Sequence, residues 1–131
     1  MRVAAALYFA LAMLWSVAAY AVVPTQERPV VVLRALDKMT ARVEEIDLPV
    51  GQTIQFGTLS IVARTCRVTL PEETPPESAA YLEIAEIKPG AQGVPVFQGW
   101  MFASSPALSA MEHPVYDIWV TGCKDNTPSS K

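Results

Sequence analysis

Three kinds of side chain that together can hydrolyse an ester or amide occur near the end of the chain. Ser104 or Ser105 could be the nucleophile, His113 its general base, and Asp117 the group that orients the imidazole. Such a triad works only when all three groups lie within hydrogen-bond reach and face a site for the oxyanion. Neither serine has the flanking glycines of a nucleophile elbow. We therefore expect the serines to cap a helical turn and the histidine to bond to loop backbone.

Few side chains could hold a metal ion or a cofactor. The chain has one histidine and two cysteines, and the cysteines are expected to bond to each other, which leaves too few ligands for zinc. Glu72, Glu73 and Glu77 lack the spaced carboxylates and the glycine of a calcium loop, and are typical of a solvated acidic loop. The scattered glycines form no phosphate-binding loop. We predict no metal, no cofactor and no catalysis.

The segment that holds the histidine is also rich in large apolar side chains. When such side chains are exposed they mark partner sites, where Trp, Tyr and Met are enriched. The other interpretation is that they fill the interior, which we favour for Trp119. For the loop residues Pro106 and Leu108 the two interpretations are equally supported. The candidate partner-binding residues are Trp100, Phe102, Pro106, Leu108, His113 and Tyr116.

Short β-branched and apolar runs separated by Gly and Pro turns predict about seven strands. The sequence therefore predicts an all-β fold, a small antiparallel sandwich or barrel, with one short helical turn near 105–112. Strict alternation in the longest strand puts Arg67 on the face of Leu59 and Cys66 on the other face. The strand at 41–48 alternates poorly, which indicates a bulge or an edge position. The expected strands are 30–36, 41–48, 53–56, 59–68, 80–87, 94–102 and 116–120.

The N-terminal residues have the pattern of a secretory signal. Arg2 is followed by an uncharged stretch from Val3 to Val23, and small residues precede a cleavage site after Ala21. The alternative is a retained membrane anchor, because about 20 apolar residues span a bilayer. Either interpretation places the rest of the chain in the periplasm. We expect a signal peptide at 1–21, a flexible lead at 22–29, a β domain at 30–123 and a disordered tail at 124–131.

Charge and cysteine content narrow the function further. Without residues 1–21 the chain has 9 basic and 13 acidic residues, a net charge of −4. That balance argues against binding to nucleic acid or to anionic headgroups by charge alone. Two cysteines in an oxidising compartment indicate a disulfide between Cys66 and Cys123.

Several motifs resemble those of a known group of proteins. They are FxGWMFASSP at 97–106, HPxYDxWV at 113–120 followed by Cys123, and the segments 36–41, 49–51 and 56–59 with Cys66. Together they resemble a family of small exported alphaproteobacterial proteins known only as a domain of unknown function. The resemblance runs from about Val31 to Cys123. It implies a periplasmic protein and supports the disulfide, and it implies no activity.

Two functional hypotheses follow. The first is a periplasmic binding or accessory module, without catalysis, that docks on an envelope protein or an inner-membrane complex through the region from Trp100 to Tyr116. It requires that Trp100, Phe102, Pro106 and Leu108 are not all buried. The alternative is a small periplasmic hydrolase or ligand-binding protein centred on His113. It requires a pocket beside His113 and a hydroxyl or carboxylate within about 3.2 Å of the ring.

Overall fold

The computed structural model describes residues 24–126, which form a sandwich of two antiparallel sheets. The first sheet has the strand order β1-β5-β6-β7, and β4 pairs with β5 on the same side as β1. The second has the order β3-β2-β8. A single 3-10 turn, η1, lies at Pro106–Ser109. The strands are β1 Gln26–Arg28, β2 Val30–Asp37, β3 Arg42–Pro49, β4 Thr53–Phe56, β5 Leu59–Val68, β6 Ser78–Glu86, β7 Val94–Phe102 and β8 Tyr116–Lys124.

The interior is formed by alternate side chains of both sheets, as the period-2 pattern requires. Leu33 and Leu48 of the second sheet and Ile61 and Leu82 of the first are fully buried. Cys66 of β5 bonds to Cys123 of β8, so the disulfide joins the two sheets. The predicted all-β fold, the antiparallel sandwich, the helical turn and the disulfide are confirmed.

A β-bulge in β5 corrects the predicted alternation of that strand. Pairing with β6 shifts register between Ala63 and Thr65, so Arg64 is an extra residue on the bulged strand. Beyond the bulge, Cys66 lies on the buried face with Leu59 and Arg67 lies outside, the reverse of the prediction. The bulge is therefore what points Cys66 towards β8. In β3, by contrast, the poor alternation reflects an edge position without a register shift.

The predicted flexible lead is wrong for the part that the structure describes. Gln26–Arg28 forms β1 and pairs with residues 66–68 of β5. The physical reason is that β4 pairs only with residues 59–62, so the second half of β5 would otherwise leave backbone groups unpaired. β8 likewise continues to Lys124, the first residue of the predicted tail. The predicted signal peptide and the remainder of the tail beyond residue 126 lie outside the described residues.

Within residues 24–126 no helix has the length and apolar character needed to cross a bilayer.

Removing the disulfide tests its share of the stability. The bond joins residues separated by 57 positions, and restricting a loop of that size in the unfolded chain stabilises the fold by about 4 kcal/mol. We expect the double variant Cys66→Ala, Cys123→Ala to lose that amount in urea unfolding followed by tryptophan fluorescence. The wild-type protein in reductant should lose a similar amount. Equal stability of the oxidised and reduced forms would contradict the expectation.

Candidate functional site

Residues 103–115, here called the strap, connect the last strand of one sheet to the last strand of the other. The strap leaves β7, packs η1 against that strand and ends at β8. Its first residues are fixed by backbone and side-chain bonds. Ala103 N donates to Ser78 O over 2.8 Å, and the backbone N–H and hydroxyl of Ser104 both donate to the Glu77 carboxylate.

The predicted serine cap of the helical turn is wrong. Ser105 occupies the N-cap position of η1, but its side chain makes no capping hydrogen bond. The hydroxyl of Ser104 bonds to Glu77 instead, because the chain brings the start of β6 beside the end of β7. The role of Ser104 is to tie the strap to the acidic loop before β6.

His113 fixes the other end of the strap. Its Nδ1 accepts hydrogen bonds from Val115 N (3.0 Å) and Tyr116 N (3.1 Å). An acceptor nitrogen carries no proton, so the neutral ring has its proton on Nε2, which donates to Glu86 Oε2 over 2.9 Å. The side chain is only 5% exposed. The expected bonding of His113 to loop backbone is confirmed.

The three side chains of the hypothetical triad bond to different partners. Asp117 pairs with Lys38 (Nζ to Oδ1, 3.0 Å), and Lys38 Nζ also donates to His113 O over 2.9 Å. Ser104 bonds to Glu77, as described above. Both ring nitrogens of His113 are engaged, so no lone pair of the imidazole faces a serine hydroxyl. This arrangement lacks the nucleophile–base contact that acyl transfer requires.

The motif segments 36–41, 56–59 and 113–117 meet at this end of the sandwich. The Tyr116 ring contacts Phe56 edge-on at 5.6 Å and lies 5.2 Å from the His113 ring. Gly57, with a φ of +56°, leaves room for the Tyr116 hydroxyl. Asp37 Oδ1 accepts from the backbone of the β2–β3 turn. These motif residues therefore form a packed, hydrogen-bonded end, in which His113 is buried and Tyr116 is half-buried.

Trp100 and Phe102 lie on the outer face of the first sheet and are half-buried. Trp100 pairs with Tyr81 across the strands, with ring centroids 5.8 Å apart, and the Arg67 guanidinium lies 6.0 Å from the indole. The prediction that Trp119 fills the interior is wrong. It pairs with exposed Arg34 on the outer face of the second sheet, whereas its neighbours Ile118 and Val120 are buried.

η1 presents the remaining predicted residues to solvent. Pro106 is exposed, and Leu108 is 64% exposed. Between η1 and β8 an open, mostly apolar groove of about 370 Å³ is lined by Pro106, Ala107, Ala110, Met111, Asp117, Ile118 and Trp119. The structure thus brings Trp100, Phe102, Pro106 and Leu108 to β7 and the turn packed on it, here called the β7–η1 face. The sequence analysis did not predict the groove residues Ala107 and Ala110, because an alanine side chain does not by itself indicate a binding role.

The β7–η1 face lies in a segment without positive charge. No lysine or arginine occurs between Lys88 and Lys124. Every lysine and arginine of the described chain except Lys88 forms an ion pair with a carboxylate. Glu77, which bonds to the start of the strap, and Glu112, near its end, pair with no lysine or arginine of the described residues. The uncompensated charge beside the β7–η1 face is therefore negative.

Metal-ligating side chains do not converge in the described part of the chain. Across residues 24–126 no group of three or more His, Cys, Asp or Glu side chains is arranged to hold an ion.

Comparison with known proteins places the chain among bacterial proteins without an assigned activity. The family model described as uncharacterized protein conserved in bacteria (DUF2155) matches residues 31–123. The uncharacterized protein RP359 of Rickettsia prowazekii (strain Madrid E), an alphaproteobacterium, is 37% identical over 89 residues. That match covers 68% of this chain and 57% of the relative, so the chain spans little more than half of the relative's length. No solved structure matches the chain.

The Gly57–Tyr116 contact can be tested against a second glycine. A Cβ at Gly57 would lie 2.2 Å from the Tyr116 hydroxyl, whereas one at Gly51 (φ +87°) would meet nothing within 4 Å. Both positions strain an alanine through their positive φ, by about 1 kcal/mol. We expect Gly51→Ala to cost that amount and Gly57→Ala to cost about 2 kcal/mol more in urea unfolding. With Tyr116→Ala as background the two glycine substitutions should cost the same. An unchanged difference would contradict the contact.

Proposed function

We propose a docking function for this chain, which belongs to the DUF2155 family of uncharacterized proteins conserved in bacteria. In this proposal it is an exported, periplasmic module without catalysis, and it binds an envelope protein or an inner-membrane complex. The site is the β7–η1 face. Two observations support export. One is the charge-free stretch that begins at Val3, and the other is the disulfide, because disulfides persist in oxidising compartments.

The observation that carries the docking part is a group of four apolar residues on the β7–η1 face, two exposed and two partly exposed. Trp100 and Phe102 are partly exposed on β7, and Pro106 and Leu108 are exposed on the turn packed against that strand. Trp is enriched among the residues that dominate binding energies at interfaces. A partly exposed ring also has apolar surface that a partner can remove from water. Exposed apolar residues clustered in this way favour a partner site over an inert surface.

The alternative, a small hydrolase or ligand-binding protein centred on His113, has one observation in its favour. Glu86 lies 2.9 Å from the ring and also lines a small cavity with Lys88, Ala91, Gln92 and Val94. The ring nitrogens are engaged, however, and the imidazole is nearly completely buried. A ligand in that cavity would meet the Glu86 carboxylate rather than the histidine, so we rank this function second.

Site-specific crosslinking in living cells tests the docking proposal. A photoreactive amino acid replaces Leu108 on the β7–η1 face, and in a control protein it replaces Met39, which is 78% exposed on the β2–β3 turn, outside that face. We expect one envelope protein, identified by mass spectrometry, to be crosslinked from position 108 and not from 39. Adding Trp100→Ala should abolish that product, because the indole supplies much of the apolar contact.

The Trp100→Ala protein must first show the disulfide and cooperative unfolding, so that loss of the product reports binding. Absence of any product from position 108, or the same product from both positions, would contradict docking through this face.

A further inference from the structure

The two outermost strands next to the strap differ in how their free edges are treated. Antiparallel pairing leaves alternate N–H and C=O groups pointing away from the neighbouring strand. Lys38 N donates to Val115 O, so residue 115 is bonded to β2 and every second residue after it also faces β2. The backbone N–H and C=O groups of residues 117 and 119 therefore point to β2, and those of Ile118 and Val120 point outward. Ile118 and Val120 are nevertheless only 4% and 1% exposed. These edge residues of β8 are therefore shielded from solvent.

The free edge of β7 has no comparable cover. Ala103 N donates to Ser78 O, so the pairs Met101–Ala80 and Gly99–Leu82 carry the ladder bonds. The backbone groups of Gln98, Trp100 and Phe102 then point away from β6. Ser105 N donates to the Phe102 carbonyl, and the N–H and C=O groups of Gln98 and Trp100 have no hydrogen-bond partner among residues 24–126. Gln98 is exposed, Trp100 is partly exposed, and no other described strand pairs with β7.

Sequence features that protect other edges are missing along this part of β7. The edge strand β3 carries Arg42, Glu44, Glu45 and Asp47. Charged side chains of this kind prevent unwanted pairing with another chain. Residues 97–102 of β7 carry no charge and include three large aromatics. Pro95 and a register shift between Ile84 and Ala85 interrupt only the first part of the strand. An uncharged open edge of this type is a template for one more strand.

We propose that β7 binds its partner by strand addition. An extended segment of the partner pairs with the backbone of Gln98 and Trp100 and continues the first sheet. This inference rests on the docking function and specifies its mode. Main-chain hydrogen bonds supply affinity, and side chains on alternate positions supply selectivity, as in other complexes formed by strand addition. On the outer face the added segment packs beside Trp100 and Phe102.

The charge distribution determines the chemistry of the partner segment. The segment between Lys88 and Lys124 carries no cation, and Glu77 is held two residues beyond the end of β7 by its bonds to Ser104. The partner segment therefore alternates apolar with basic residues, because lysine or arginine beside Glu77 is attracted and an acidic residue is repelled. A second copy of this chain is disfavoured as the occupant, because residues 24–126 carry 8 basic and 13 acidic residues.

A matched pair of variants at Gln98 separates backbone pairing from side-chain contact. Gln98→Pro removes the outward N–H without loss of a ladder bond to β6, and proline is tolerated on edge strands in such positions. Gln98→Ala keeps the N–H and removes the same exposed side chain. Both variants should fold, with the disulfide formed and with cooperative urea unfolding.

The probe is a displayed library of random linear peptides, selected on the wild-type protein without residues 1–21. We expect selected peptides that alternate apolar with basic residues, that bind Gln98→Ala as tightly as wild type, and that lose about tenfold or more in affinity for Gln98→Pro. Peptides that bind both variants equally would overturn strand addition and leave docking through the β7–η1 face intact. Failure to select any peptide would also overturn strand addition. The docking proposal would still be decided separately, by the crosslinking experiment at position 108. Light scattering could instead show that the wild-type protein is a dimer and that the Gln98→Pro protein is a monomer. That result would assign the β7 edge to a second copy of the chain and would overturn the proposal of a basic partner segment.

Discussion

Each sheet edge carries backbone N–H and C=O groups that need a partner, a cover or a charge nearby, and this requirement organises the molecule. β4 and β1 divide one edge of β5 between them, β3 is an edge protected by charged side chains, and Ile118 and Val120 on the edge of β8 are buried. Residues 97–102 of the edge strand β7 carry no charge, and the outward backbone groups of Gln98 and Trp100 have no hydrogen-bond partner among the described residues. An uncharged edge next to the apolar residues of the β7–η1 face is the feature from which we propose a partner.

Both ends of the strap are fixed by polar contacts. Glu77 holds Ser104 at one end, and His113 accepts two backbone N–H groups and donates to Glu86 at the other. Lys38 adds a bond to the His113 carbonyl and an ion pair to Asp117. These are the residues that look most like a catalytic set in the sequence. In the fold these residues bond to one another and to backbone groups. Polar residues of the types used in catalysis therefore occur here in a segment that connects the two sheets.

The strands could be predicted because β-branched runs and Gly and Pro turns are local signals. The turn at Pro106 and the disulfide followed from equally simple rules. The bulge at Arg64 could not be predicted, since it depends on pairing with β6, and it reversed the faces of Cys66 and Arg67. β1 was not predicted because its three residues are polar, and they form a strand only by pairing with the half of β5 that β4 leaves unpaired. For the proposed site, residue type suggested Trp100, Phe102, Pro106 and Leu108. The partners of His113 and Lys38 come from distant strands, and the openness of the β7 edge emerges only from the sheet order.

Amide hydrogen exchange of the free, dilute protein without residues 1–21 tests the central claim most directly. If the β7 edge is open, Gln98 and Trp100 should exchange about a hundredfold or more faster than Gly99 and Met101, whose N–H groups bond to β6. The protection pattern along β7 would then alternate residue by residue, with Ile118 of the buried β8 edge slower than Gln98. Uniform slow exchange from residue 97 to 102 would mean that the edge is already covered, and would contradict the account.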